Sequence, residues 1–279
     1  MLIDQVETGS FASPASIADQ PRIIQVLSWN IARGCKLPEI TEFLLTANAD
    51  LLILQEVDWF ARRSGYRNIA AVVAQELKMN YAFGIEFQEL AQGSPAAPAY
   101  HGQATLSRWP ISNSRVVRFR KQSNYWSPRW WIPSHPLFQR RLGGRMALLS
   151  HVRVGLTEIA VYNLHLESRS SDDLRRSQLV QVLDDTIRYS DVPVVVAGDL
   201  NFDLTEPGNA SVTKATGLHN PFADLRVRTV RSASSRGGGT IDWILVRRPA
   251  AVMSPQVCPS VTASDHYPLR LTLELPSIG

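Results

Sequence analysis

Short apolar runs, many rich in β-branched residues, recur along this chain and meet an acid, an amide or a histidine at or beside an end. "RIIQVLSWN" (22–30) ends on Asn30, and "DLLILQEVD" (50–58) carries Glu56 near its end. "VYNLHLES" holds His165, and "VPVVVAGDLNFD" leads into Asp199 and Asn201. "TIDWILVR" (240–247) opens around Asp242, and Asp265-His266 immediately precede "YPLRLTLEL" (267–275). Runs of this length and composition read as strands, and consecutive apolar residues, as in 50–58, imply a strand covered on both faces. Strand ends that converge at one edge of a sheet are a natural place for a site.

Helical patterns fall between some of these strands and not others. Residues 37–48 have Pro at a helix start and apolar side chains at Ile40, Phe43, Leu44 and Ala47, one face of a helix. Residues 68–78 read as a second helix, and 171–190 as a third with Ser171 as candidate cap and acids in the first turn. Further strands are expected at 81–87, at 102–111 and 114–120 as neighbours across a Trp-Pro turn, and at 144–154 and 157–167 as a hairpin. The mixture is neither a regular βα series nor all-β. It predicts an α/β fold: two mixed β-sheets packed face to face with helices outside. Residues 1–21 are expected to be a flexible leader, and 22–279 one catalytic domain.

With 279 residues, 44% of them hydrophobic, the chain can bury a sizeable core. No apolar run approaches the roughly 20 residues that cross a bilayer, and residues 1–20 lack the basic start and apolar block of a secretory signal. Two cysteines are too few for a disulfide framework, so a cytoplasmic location is the expectation, with the chain acting as a monomer. The net charge of +4 conceals an asymmetry: between Leu90 and Thr157 there is no Asp or Glu but ten Lys or Arg, Arg145 among them. A basic zone in an otherwise acidic chain suits a phosphate-bearing polyanion.

The polar inventory is chemically coherent. Carboxylate and amide oxygens without a cysteine cluster suit a hard cation such as Mg2+ or Mn2+. A His beside an Asp, with another Asp to orient it, is the pattern of a general base or electrostatic stabiliser. No GxSxG, HExxH or GxxxxGK[ST] occurs, which removes support for serine hydrolase, zincin and P-loop readings. Asp203 reads as a turn residue.

Seven segments, "VLSWNIARG", "LLILQEVD", "HGQATLSRWPI", "VYNLHLES", "VVVAGDLNFD", "GTIDWILV" and "SDHYPLRLTLEL", occur in an order that resembles the endonuclease/exonuclease/phosphatase superfamily of DNase I-like proteins. The resemblance implies a four-layer α/β sandwich and divalent-metal-dependent phosphoesterase activity. It implies Glu56 as the principal metal carboxylate, with Asn30 and Asp265 completing or approaching the metal shell. Asp199 would orient or deprotonate the attacking water and Asn201 would position it or touch the phosphate. Asp242 would hold the tautomer of His266, and His165 would contact the scissile phosphate or assist the leaving group. Either Asp199 or His266 can be the base on this reading. Relatives often carry Asn where this chain has Gln103.

The least family-like stretch is "RKQSNYWSPRWWIPSHPLFQRR" (120–141), whose prolines exclude an ordinary helix. Its interleaved Arg129, Trp130 and Trp131 could, with Arg145, bind substrate, stacking on bases and meeting backbone phosphates. The leading expectation is therefore a nuclease acting on DNA or RNA. The alternatives are a phospholipid phosphodiesterase or phosphatase whose Trp loop meets anionic or choline lipid, and a silent binding module on the same fold.

Overall fold

The structure is a computed structural model that describes residues 4–13, 21–123, 125, 129, 131–214, 216–225, 227–231 and 239–276. In chain order its first elements are β1 (Val6–Ser10), β2 (Ile23–Asn30), α1 (Leu37–Ala47), β3 (Leu51–Trp59), α2 (Ile69–Leu77) and β4 (Asn80–Glu89). There follow β5 (Tyr100–Ser107), β6 (Ile111–Arg118), β7 (Arg141–Gly143), β8 (Met146–Val154), β9 (Thr157–His165) and α3 (Asp172–Thr186). The last are β10 (Val194–Asp199), α4 (Pro207–Lys214), β11 (Asp242–Arg247), β12 (Ala251–Val257) and β13 (Leu269–Glu274).

The strands form two mixed sheets. One runs β1-β4-β5-β3-β2-β13-β12, with β7 also on β4; the other runs β11-β10-β9-β8-β6. Each has one parallel pair, β2 with β3 and β9 with β10. α1 and α3 make those two crossovers, as parallel strands require. Alternation along β2 and β3 sorts the two faces. Ile24, Val26, Leu51 and Ile53 share a buried cluster with Ala147, Leu149 and Val161 of the second sheet. Leu27, Trp29, Leu52 and Leu54 pack instead with Ile40 and Leu44 of α1 and Ile69 and Val73 of α2. On the far side Leu179, Val182 and Leu183 of α3 join the first cluster. The result is the expected sandwich of two sheets between helices.

The inward face turns polar toward one end. Gln55 donates to Asn163 Oδ1 at 2.8 Å, and Asn163 Nδ2 donates to the carbonyls of Leu54 and Ala104 at 3.0 and 2.9 Å. Gln103 reaches across to the Met146 carbonyl at 3.0 Å. These bonds tie the sheets together directly beneath the polar strand ends.

Several expectations need correcting. The leader contributes β1, whose Val6–Ser10 pairs antiparallel with Gly84–Asn80 and whose Glu7 accepts from Tyr81 Oη at 2.5 Å. An unpaired edge of β4 is thereby covered. The strands on either side of Trp109-Pro110 are not neighbours: β5 lies in the first sheet and β6 in the second. Trp109 is buried in the cluster between the sheets, so this turn is where the chain crosses from one to the other. The third helix is shorter than expected, ending at Thr186 before a single 3-10 turn, and the Ser171 side chain makes no capping bond.

Candidate active site

The register brings the polar strand ends together. Asp199, last in β10, lies opposite His165 in the parallel ladder with β9 and opposite Asp242 in the antiparallel ladder with β11. Gly198 (φ +144°) precedes it, where an added Cβ would lie 2.0 Å from the Leu164 carbonyl, so only glycine lets β10 approach β9 this closely. From the other sheet, Asn30 Nδ2 donates to Asp199 Oδ2 at 3.1 Å, and the Asn201 backbone N–H donates to Oδ1 at 3.0 Å. Asn201 holds φ +57°, a left-handed conformation asparagine tolerates, and its side chain donates to the Leu166 carbonyl.

His266 completes the row. Its Nδ1 lies 2.9 Å from Asp242 Oδ2, and its Nε2 faces Asp199 Oδ2 at 3.7 Å. Ser264 fixes the turn that carries it, donating to the Asn30 carbonyl at 2.7 Å and accepting from the His266 N–H at 3.2 Å. Thr229 Oγ1 accepts from the N–H groups of Ile241 and Asp242 at 3.0 and 3.1 Å, which sets the start of β11. His165 Nε2 approaches Asp199 Oδ2 at 3.5 Å. Asp203 sits apart and accepts from the Thr205 N–H, the turn role expected of it.

Glu56 faces this row from a β-bulge. Leu54 pairs with Ala104 and Val57 with Gly102, so Gln55 and Glu56 together oppose Gln103. Glu56 takes φ +50°, an uncommon backbone for a residue that is neither glycine nor asparagine. A second bulge lies across β5, where Glu86 is the extra residue between Ile85 and Phe87. Glu86 receives Arg145 Nη1 at 2.6 Å, and its other oxygen lies 4.0 Å from His165 Nδ1.

Charge and burial set the protonation of this cluster. Burial raises Asp199, and together with the neighbouring Asp242 it outweighs His266 and the hydrogen bonds, pushing the carboxyl up to about 7. Burial alone would lower His266, but Asp242 and Asp199 raise it to about 10, which keeps an imidazolium there. His165 is driven well below its ordinary value, first by burial and then by the charge of Arg145, and stays neutral. For Glu56 burial acts upward and is outweighed by His101, Arg33, His266 and Arg145, so its carboxylate stays ionised.

Two donor sets could meet a cation. Asp199, Asp242 and His266 offer ligand atoms within 4.8 Å of one another, but the contacts among them join an imidazolium to carboxylates. Glu56 is the better candidate. Arg33 Nε stands 3.6 Å from its Oε2, and no hydrogen bond reaches either of its oxygens among the described residues. Asn30 lies on the adjacent strand, paired with Gln55. An ionised carboxylate with free lone pairs fits a hard divalent ion, while the Asn30 amide oxygen already accepts from the Ala32 N–H at 3.1 Å. Asp265 is exposed, its Oδ1 3.3 Å from the Ser264 hydroxyl oxygen, whose proton goes to the closer Asn30 carbonyl.

The Endonuclease/Exonuclease/phosphatase family matches residues 27–266, which span every strand end just described. The chain belongs to this family. None of the curated proteins matches it. Among solved structures, an endonuclease/exonuclease/phosphatase from Beutenbergia cavernae superposes with TM-score 0.67 at 21% identity, covering 92% of this chain and 72% of the other. The human Nocturnin catalytic domain with bound sulfate gives TM-score 0.62 at 20% identity, covering 98% of both chains. A D. rerio TDP2 humanized by 14 mutations gives 0.62 at 17% identity, covering 91% and 99%. These likenesses establish the DNase I-like sandwich.

Within this family member, the expected substrate contacts take different places. Arg145 is buried at 3% exposure, bonded to Glu86 and Ser168, so it lies under the site and not on a surface. Trp131 is 66% exposed and Arg129 is exposed, whereas Trp130 lies outside the described residues. Glu86, Thr229 and Ser264 belong to the site's framework and escape sequence reasoning. Each acts through a cross-strand contact that no local motif marks.

Proposed function

We propose that this chain is a divalent-metal-dependent phosphodiesterase, and specifically a nuclease. The observation that carries the reading is the row Asn30–Asp199–His266–Asp242 facing the open carboxylate of Glu56. Glu56, joined by Asn30 and Asp265, would hold Mg2+ or Mn2+, which when bound neutralises charge on phosphate oxygens. Asp199, aimed by the Asn30 amide and the Asn201 N–H, orients the attacking water and accepts its proton. His266, oriented by its bond to Asp242, keeps a positive charge against the developing phosphorane oxygens. Neutral His165, on the other side of Asp199 from Asp242, would bond a phosphate oxygen or the leaving oxygen. The basic surface around residues 120–141 favours a nucleic acid. Exposed Trp131, Leu137 and Phe138 on the same segment favour the second reading, a phospholipid phosphodiesterase.

The test is a panel of plasmid DNA, single-stranded DNA, RNA, sphingomyelin and inositol phosphates assayed with Mg2+ or Mn2+. Cleavage of a nucleic acid, reduced by roughly a thousandfold or more in Asp199→Asn and His266→Ala, is the expected result. Hydrolysis confined to sphingomyelin would replace the nuclease reading with the lipid one. Wild-type rates in both variants would overturn the mechanism.

A further inference from the structure

A cleft of about 710 Å3 opens beside the catalytic row, and its lining is unusual in charge. Among the described residues, five guanidiniums, from Arg63, Arg129, Arg140, Arg141 and Arg169, line it with a single carboxylate, Glu89. Two of the five are anchored. Arg63 grips buried Asp58 through two bonds of 2.7 Å and reaches Glu89 at 3.1 Å, while Arg141 meets Glu89 at 2.7 Å. Arg129, Arg140 and Arg169 are exposed on the rim, and among the described residues no carboxylate lies within ion-pair distance of them. Like charges gathered in one concavity repel each other and raise the local concentration of anions.

The cleft communicates with the catalytic centre through named groups. Arg63 Nη2 lies 3.4 Å from His101 Nδ1, and both side chains hold Asp58, two residues beyond Glu56 on β3. Arg141 contributes to the field on His165. Arg169 follows β9, the strand that ends in His165, across the short segment 166–168. The lining also carries two ring faces: Tyr125, with Arg169 stacked over it at 4.5 Å, and Phe138, 60% exposed. Guanidinium groups bind phosphate oxygens bidentately, and exposed rings accept bases by stacking.

We infer that this arginine cleft is a second anion site that holds backbone phosphates of a single nucleic-acid strand to one side of the bond cut, with Tyr125 and Phe138 as stacking faces for its bases. This rests on the nuclease reading for the identity of the strand, but the cleft's affinity can be measured without catalysis. Anchored Arg63 and Arg141 form the floor, and the three rim arginines meet the strand's phosphates at its edge. A substrate long enough to fill both sites is bound more tightly than one that reaches the catalytic row alone.

The test uses the full chain in excess chelator and a fluorescent ten-nucleotide single strand, read by anisotropy. Arg140→Ala/Arg169→Ala is expected to weaken binding roughly tenfold or more. The slope of log affinity against log salt should fall by roughly 1.4, about 0.7 for each single-strand phosphate that the two arginines no longer neutralise. Arg140→Lys/Arg169→Lys, which keeps the charge, should recover part of the affinity and most of the slope. Unchanged affinity and slope in the alanine pair would overturn the proposal. So would stronger retention on phosphatidylserine vesicles than on the strand, abolished in the same variant, which assigns the cleft to a lipid surface. In turnover, the ratio of kcat/KM for the ten-nucleotide strand to that for a chromogenic diester should fall in the alanine pair. Strand binding that weakens as expected in the alanine pair, beside a wild type that cleaves no nucleic acid, would sustain the cleft and sink the nuclease reading.

Discussion

Asp58 and His101 face each other across β3 and β5 with Asp58 Oδ1 2.8 Å from His101 Nδ1, and Arg63 holds the other side of the carboxylate. Burial pushes Asp58 upward, but its hydrogen bonds to Arg63 and His101 and their charge outweigh that and hold it at about 2, below the ordinary 3.8. A carboxyl lowered on folding stabilises the folded state above its unfolded pKa and loses that contribution as pH falls through the folded value. Stability should therefore drop by on the order of 2 kcal/mol as pH falls from about 4 to about 2. Urea unfolding across this window checks it, and Asp58→Asn should be less stable at neutral pH and show a smaller fall. A wild-type fall no larger than that of the variant would refute the assignment. At this scale the strand-end residues Asn30, His165, Asp199, Asn201 and Asp242 were legible, because each stands out against an apolar run. Asp58, Glu86 and Arg63 were not, since their meaning comes from the partner opposite and the local sequence does not name that partner.

Among the elements, β5 is flanked by two bulges, and each presents a glutamate, Glu56 on one side and Glu86 on the other. Gly102 lies at the centre, where an added Cβ would sit 2.0 Å from the Gly84 carbonyl of β4. That neighbour is backbone held in a ladder, so it cannot turn aside. Gly102→Ala should destabilise the fold by about 2–3 kcal/mol and lower activity by moving both glutamates, measured by chemical unfolding and by rates on a chromogenic diester. A variant with wild-type stability would show that the bulges have more freedom than the register implies. Most strands were legible from apolar runs bounded by turn residues. The bulges were not, because a bulge is a property of register between two strands. β1, β7 and β12 also escaped notice: the first two have only 5 and 3 residues, and Ser254-Pro255 interrupt the short apolar start of β12.

For the molecule as a whole, the two sheets must keep a fixed separation for Asn30 of one to reach Asp199 of the other. Asn163 is the clasp, bonded to Gln55 and to two carbonyls of the opposite sheet. Asn163→Ala strands those partners in a buried layer and should cost about 2–4 kcal/mol. The Gln55→Ala/Asn163→Ala pair should cost less than the sum of its parts by equilibrium unfolding; strict additivity would argue against a clasp. The layered fold was legible because helices fell between only some strand pairs. The charge asymmetry was legible but its location was not. Arg108, Arg115, Arg118, Arg141 and Arg145 of the basic zone are bound to Asp50, Asp185, Asp4, Glu89 and Glu86, all from outside it. Positive charge beyond these pairs gathers partly at the arginine cleft. No helix among the described residues is long and apolar enough to cross a membrane.

The central claim is that the open carboxylate of Glu56 and the Asp199–His266 row act together on a phosphodiester. The most direct measurement is the rate of hydrolysis of a chromogenic phosphodiester by wild type and Glu56→Ala, first in excess chelator and then with Mg2+ or Mn2+ titrated back. The expected result is no turnover in chelator, full recovery by the wild type, and little or no recovery by Glu56→Ala despite an intact fold by circular dichroism. Full activity in chelator, or a Glu56→Ala variant that recovers at the wild-type metal concentration and rate, would contradict it.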